Sequence, residues 1–423
     1  MKVPWEAGRV LTSEEWEAYC KTVISDCIDC DFSPSEFRSW GPDFALLLKP
    51  GEWPKLANVA EQLTREMLAA ERELASRPDL HRLLGLPSSI RRVMEKCGPR
   101  CQPKSAARLV RFDFHFTREG WLLSEGNTDA PGGFEGFGFT KAMSSYYPGF
   151  SAPPDPIRKY AEAIRAAAGR DSLIGLVSTR RYVLHLQFLA RQLKQSGMRT
   201  ILLLPGRLRW RAKRARIKAS SGMQIPDLLV RRLLTAWLIR PSQRAEWEPW
   251  FCGGETLMSN PGTVVVTAGK RFPVVWSELD TRMSAWRSFL PETRCPGELP
   301  SGSVTDWVFK PAFGRDGKGV AVAGLTKRQA FRETADRARR NPTQWVAQRR
   351  FESVAVPTER GPGHVCLGIY TIDGVAAGAF TRIQGNALID QHSLRIPVLI
   401  PDTDEQSRRV LGGPFNGEKV NKP

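Results

Sequence analysis

The chain has 423 residues, 41% of them hydrophobic and 25% charged, a balance that excludes disordered and fibrous classes. No apolar run approaches the roughly 20 residues needed to cross a bilayer, and the segment MKVPWEAGRVLTSEEW lacks the apolar core of a signal peptide. The formal net charge of +18 is the outstanding departure, and it favours phosphates, acidic substrates or nucleic acid over cationic partners.

Residues 1–100 read as helical. Ser13 stands as an N-cap before Glu14 and Glu15, and Trp53 to Ser76 carries Leu56, Val59, Ala60, Leu63, Met67, Ala70 and Leu74 on one stripe, the pattern of a helix packed on a core. Cys27 and Cys30, with Cys97 and Cys101, have metal-like internal spacings. The long gap between the two pairs instead makes buried free thiols in a reducing cytoplasm the expectation.

Residues 111–127 are the most informative. Arg111-Phe112-Asp113-Phe114-His115-Phe116 alternates polar and aromatic side chains, as a half-buried strand does. Arg118-Glu119-Gly120 then supplies a three-residue hairpin loop. Pairing Thr117 with Trp121 sets Asp113 opposite Glu125 and Arg111 opposite Asn127, on one face of the ribbon. Side chains directly opposed lie only about 4.5–5.5 Å apart at Cβ, so two carboxylates there repel unless a cation intervenes. Magnesium, which prefers oxygen ligands shared with nucleotide phosphates, is the expected ion, with Asp113, Glu125 and Asn127 as its ligands. As exposed polar residues, both acids should be replaceable at little cost to stability.

Further on, Pro131 to Pro156 reads as a site loop and linker, rich in glycine and proline. Ser172–Ser178 and Thr200–Leu204 flank a helix over Tyr182–Ser196, a β-α-β order that implies a small parallel-sheet lobe. The run from Arg207 to Lys218 is strongly basic, suited to an acidic partner or to a solvated face. Thr263–Thr267, Trp307–Lys310, Trp345–Gln348 and Cys366–Ile372 read as strands, and Lys327–Arg340 as a helix. After Lys310 come Gly314, Arg315, Gly317, Lys318 and Gly319, a turn whose backbone can approach phosphates but which is not a Walker motif. Lys270, Gln348 and Arg382 complete the set of residues expected around a nucleotide cleft.

Taken together, Arg-Phe-Asp (111–113), Glu-x-Asn (125–127), Lys-Pro-x-x-Gly-Arg-x-Gly (310–317) and the late Arg382 resemble the glutathionylspermidine synthase family. The synthetase part of that family is a circularly permuted ATP-grasp fold, in which the metal carboxylates precede the nucleotide lysines. The match runs from about Arg108 to Ile400. The resemblance implies an α/β fold with a helical N-terminal region (1–100), the first part of the ATP-grasp (101–165), an inserted parallel-sheet lobe (166–250) and the second part of the ATP-grasp (251–423). It also implies ATP and Mg2+ as cofactors. Arg111 and Arg382 would stabilise the transferred phosphoryl group; Lys270, Lys310, Gly314, Arg315 and Gly317 would contact ATP, with Gln348 near the adenine hinge. The implied reaction joins a small-molecule or peptide carboxylate to an amine through an acyl phosphate. Ala130-Pro131-Gly132-Gly133 stands where the family places small polar residues, so glutathione and spermidine are not the expected substrates. The alternative is a scaffold that binds nucleotide or nucleic acid without turnover.

Overall fold

A computed structural model describes residues 3–27, 41–98, 104–179, 183–219, 222–238, 246–300, 302, 304–314 and 317–404. In chain order, the first part supplies β1 (Trp5–Ala7), α1 (Ser13–Cys27), β2 (Leu46–Leu48), α2 (Glu52–Ala75), α3 (Ser88–Cys97), β3 (Leu109–Thr117), β4 (Gly120–Asn127), α4 (Phe137–Ser144), β5 (Phe150–Ser151) and α5 (Pro156–Ala168). The middle supplies β6 (Leu173–Ser178), α6 (Val183–Gln195), β7 (Arg199–Leu203), β8 (Leu208–Arg211), β9 (Arg214–Ala219), β10 (Gly222–Gln224), β11 (Leu228–Arg232), α7 (Pro249–Cys252) and β12 (Leu257–Ser259). The last part supplies α8 (Val265–Ala268), α9 (Ser284–Phe289), β13 (Thr293–Arg294), β14 (Trp307–Pro311), α10 (Arg328–Arg340), β15 (Trp345–Arg349), β16 (Val356–Thr358), β17 (Gly361–Ile372), β18 (Val375–Gln384), β19 (Leu394–Arg395) and β20 (Val398–Pro401). The result is a mixed α/β molecule with several sheets.

One antiparallel sheet, ordered β19-β18-β17-β3-β4 with β16 on β17, carries the residues singled out in the hairpin. Because side chains alternate across a strand, β3 sends Phe112, Phe114 and Phe116 into the main apolar core. There they meet the stripe of α2, all of whose expected apolar positions are buried. Arg111, Asp113 and His115 occupy the other face. Asp113 does pair with Glu125, and Arg111 with Asn127. The turn, however, is one residue shorter than expected: Thr117 pairs with Gly120, and a bulge at Ser124 between Leu123 and Glu125 restores the register.

A smaller antiparallel sheet, β13-β15-β14, has its own core, in which Trp307, Phe309 and Trp345 pack on Phe331, Ala335 and Ala338 of α10. The opposite face of β14 therefore carries Val308 and Lys310. The parallel lobe is present as the four-stranded sheet β12-β11-β6-β7.

Several local expectations are corrected. The N-terminal part contains β1 and β2 as well as helices, and the cap of α1 is Thr12, not Ser13: Thr12 and Glu15 exchange backbone-to-side-chain hydrogen bonds of 3.2 and 2.9 Å. Thr263–Thr267 is not a strand but a helical turn running into α8; a short apolar run is ambiguous between the two until its neighbours are known. Within Pro131–Pro156, α4 forms because Phe137, Phe139 and Met143 find buried places. Cys97 is not a free thiol: it is bonded to Cys252, tying α3 to α7. Cys30 and Cys101 lie outside the described residues, as do Arg315 and Asp316. No described helix is long and apolar enough to cross a membrane.

Candidate active site

The two antiparallel sheets face each other across a cleft of about 480 Å³. Val308, Val322, Leu325 and Phe351 give it apolar walls, while Glu125, Lys270, Lys310 and Arg382 bring charge. A second chamber of about 90 Å³ adjoins it and shares Ser124, Glu125, Lys270, Lys310, Gly314 and Gln348. The remaining walls of this second chamber are largely apolar, with Phe272, Pro273, Trp286, Leu290 and Phe313 among them.

Lys310 reaches the cleft from β14. Its ammonium donates to the Gln348 Oε1 at 2.6 Å and to the carbonyl of the bulged Ser124 at 3.2 Å. Lys270 arrives from the turn after α8, where its backbone N–H is anchored on the Ala312 carbonyl at 2.9 Å. Its Nζ sits 2.8 Å from the Glu125 Oε2 and donates to the Gly314 carbonyl at 2.8 Å. Both lysines thus converge on Glu125 from separate elements, and Gln348 orients one of them. Burial works against ionisation of Glu125, but the neighbouring ammonium groups outweigh it and hold its carboxyl down to about 2. Burial draws the Lys310 ammonium down to about 8, a fall that Glu125 opposes.

Asp113 behaves differently. Its side chain is 1% exposed, and Arg111 grips both carboxylate oxygens, Nε at 2.6 Å and Nη2 at 2.9 Å. Arg382 from β18 adds a contact at 3.3 Å and the Asn127 amide another at 3.2 Å. Arg111 and Asp113 line neither chamber, whereas Arg382 lines the larger one. Gly368, paired with Asp113 across β17, makes room for this clamp: a Cβ there would stand 2.8 Å from the Arg111 Cδ. Burial alone would depress the Arg111 guanidinium, yet Asp113 holds it well above its ordinary value.

The opposed acids are therefore compensated by protein cations, Asp113 by two arginines and Glu125 by two lysines. Their pairing does not by itself require a metal ion, and the expectation that both acids are exposed fails for Asp113. Glu125 borders both chambers and Asn127 the smaller one, and together they offer the few hard oxygens that magnesium needs beside nucleotide phosphates. Asp113 does not fit in this arrangement, since both its oxygens are taken. Among the described residues no group of three or more His, Cys, Asp or Glu is gathered as a metal site.

Residues not singled out in the sequence also line the cleft. His115 stands two positions after Asp113 on the same strand face, which is the signal that would have found it. Its Nε2 lies 3.2 Å from the Ser124 hydroxyl, its ring is tilted against Phe351 at 5.4 Å, and burial lowers its pKa to about 4. Ser353 and His364, hydrogen-bonded at 2.8 Å, border the same cavity.

No family model matches the chain, and no curated protein matches it. Among solved structures, one from Methylobacillus flagellatus KT, a "Putative gamma-glutamylcysteine synthetase", is similar at 13% sequence identity over 76% of this chain and 88% of that one, with a TM-score of 0.42. A likeness that loose carries no argument about fold or activity.

Proposed function

We propose that this chain is an ATP-dependent carboxylate–amine ligase on a circularly permuted ATP-grasp scaffold, similar to the synthetase part of glutathionylspermidine synthases. The observation that carries the reading is the meeting of Lys270, Lys310 and Glu125 in one cleft between two antiparallel sheets. These residues lie far apart in the chain, and their order, acid before lysines, is that of the permuted family.

The residues have distinct tasks in this reading. Lys270 and Lys310 exchange their internal partners, Gly314 and Gln348, for nucleotide phosphates, which a flexible four-carbon ammonium does readily. Arg382, reaching the cleft while tethered to Asp113, presents a fixed positive charge to the transferring phosphoryl. Arg111 locks Asp113 and, through its Nη1, holds the Gly132 carbonyl at 2.6 Å, which fixes the loop after Asn127. Magnesium, when bound at Glu125 and Asn127, would neutralise phosphate charge. In the reaction a substrate carboxylate oxygen attacks the γ-phosphorus and ADP leaves. An amine nitrogen then attacks the acyl carbon, phosphate leaves, and the amine gives up a proton. No side-chain nucleophile is required, because positioning and electrostatics supply the catalysis.

Hydroxylamine tests this directly, since it intercepts acyl phosphates as hydroxamates. With ATP, magnesium and a panel of small carboxylic acids and short peptides, at least one acid should give hydroxamate and ADP in equal amounts. Nucleotide binding without hydroxamate from any member of a broad panel would favour the reading without turnover.

A further inference from the structure

The geometry points to the β8–β9–β10 sheet as a docking surface for the phosphate backbone of a nucleic-acid duplex. It is independent of the ligase reading, because none of its residues borders the cleft.

The basic run is neither a tail nor a helix but an antiparallel ribbon. β8 and β9 are joined by a two-residue turn at Ala212 and Lys213, both with positive φ (47° and 61°), as a tight hairpin requires. One face is fastened to the molecule. Leu208, Ala215 and Ile217 are fully buried, and Trp210 meets Trp250 edge-on at 6.3 Å. The Ala215 N–H donates to the Thr256 hydroxyl at 2.9 Å and the Glu255 N–H to the Lys213 carbonyl at 2.8 Å.

Alternation then turns a row of cations outward, with Arg209, Arg211, Arg214 and Lys218 exposed and Arg216 half-buried. Arg209 pairs with Arg216 and Arg211 with Arg214, while Lys218 pairs with Met223 of β10. Two successive arginine–arginine pairs directly opposed on one face repel each other, a placement that lowers ribbon stability. Residues 207–224 contain no Asp or Glu to offset it. Glu246 lies 3.8 Å from Arg209, and Glu255 is engaged by Lys104 at 3.0 Å. An ordinary solvated face mixes signs; this one concentrates a single sign on an anchored surface.

The chemistry selects the partner. Four of the five outward cations are arginines, whose planar fork pairs bidentately with phosphate. Neighbours along each strand are about 6.6–6.8 Å apart and those across it about 5 Å, a density matched by a polyanion with closely spaced charges. Aromatic side chains are absent from the outward face, since Trp210 is turned inward, so the base stacking on which single-strand binders rely is not offered. Backbone contact to a duplex, without sequence preference, is what remains.

Fluorescence anisotropy of the full chain with a labelled 20-base-pair duplex of arbitrary sequence tests this over a salt series. About four phosphate contacts give a log–log salt slope near −4 and roughly a hundredfold loss of affinity between 50 and 200 mM salt. Arg211→Gln with Arg214→Gln should weaken binding at least tenfold and flatten the slope by about 2. The melting temperature of the variant should be unchanged or higher, because a like-charge pair is removed, and its ATP-analogue affinity should be unchanged. Three results would overturn the proposal: no salt-dependent duplex binding, equal binding by the variant, or tighter binding to a single strand or to a polyglutamate peptide than to the duplex.

Discussion

Asp113 and Arg111, two residues apart on one strand, form a bidentate pair at 2.6 and 2.9 Å in which the carboxylate is almost wholly buried. Arg382 closes the pair from a second strand. Removing one member of such a cluster leaves uncompensated buried charge, which typically costs about 3–5 kcal/mol. Asp113→Asn should therefore lower the stability of the chain by about 3 kcal/mol, read as a shift in urea midpoint. An unchanged midpoint with lost magnesium dependence of nucleotide binding would instead make Asp113 an exposed metal ligand.

Gly368→Ala probes the same clamp from the opposite strand. A Cβ at this position would crowd the Arg111 Cδ at 2.8 Å and the Phe380 carbonyl at 2.9 Å. Overpacking of this kind costs about 1–3 kcal/mol. The variant should fold with reduced stability and show a lower kcat, because the Gly132 loop loses its anchor. Wild-type stability and turnover would show that the fit is slack.

The cleft lysine predicts a pH dependence. Lys310 loses its charge near pH 8 in the free protein, so nucleotide affinity should fall as pH rises through 8, by up to tenfold per unit. Since Glu125 props that value up, Glu125→Gln should move the transition to lower pH. The effect on stability runs the other way for the lysine. Its folded value lies below its ordinary 10.5, so its burial disfavours folding below pH 8, and the cost is relieved between pH 8 and 10.5. For Glu125, held near 2, stabilisation is complete above 4.5 and lost as pH falls through that range toward 2. Calorimetric titration with an ATP analogue from pH 6.5 to 9.5 measures the binding effect; a flat profile would remove Lys310 from the phosphate site.

The Cys97–Cys252 bond closes a loop spanning 155 positions and so restricts the unfolded chain substantially. A paired Cys97→Ala, Cys252→Ala variant should be less stable than the oxidised protein by about 2–4 kcal/mol. Reductant should bring the parent to the same level and leave the variant unaffected. Equal melting of both proteins without reductant would show that the bond does not form.

Much of the site was legible because period-two alternation puts Arg111, Asp113 and His115 on one face whatever the rest of the chain does. The opposition of Asp113 and Glu125 is also legible, because two structural departures cancel: the turn is one residue shorter than a three-residue loop, and Ser124 is extruded. That bulge answers to tertiary structure, since Ser124 donates to the Asp113 carbonyl at 3.1 Å and receives Lys310. The counter-ions were harder to see. Arg111 was readable as a neighbour of Asp113, but Lys270 and Arg382 approach from 145 and 269 positions away, and only folding reveals that they replace a metal as the required positive charge. Val264-Val265-Val266 has the β-branched composition of a strand, yet burial of all three beneath α2 makes a helical turn the better packing. A disulfide between distant cysteines has no local signature at all.

In the proposed ligase the lysine-lined cleft holds a magnesium nucleotide. A crystal structure with magnesium and a non-hydrolysable ATP analogue tests it most directly. The expected density is a triphosphate between Lys270 and Lys310, the base against Val308 and Phe351, and the metal on Glu125 and Asn127. A nucleotide bound elsewhere, or an empty cleft at saturating analogue with the Lys270–Glu125 pair intact, would contradict it.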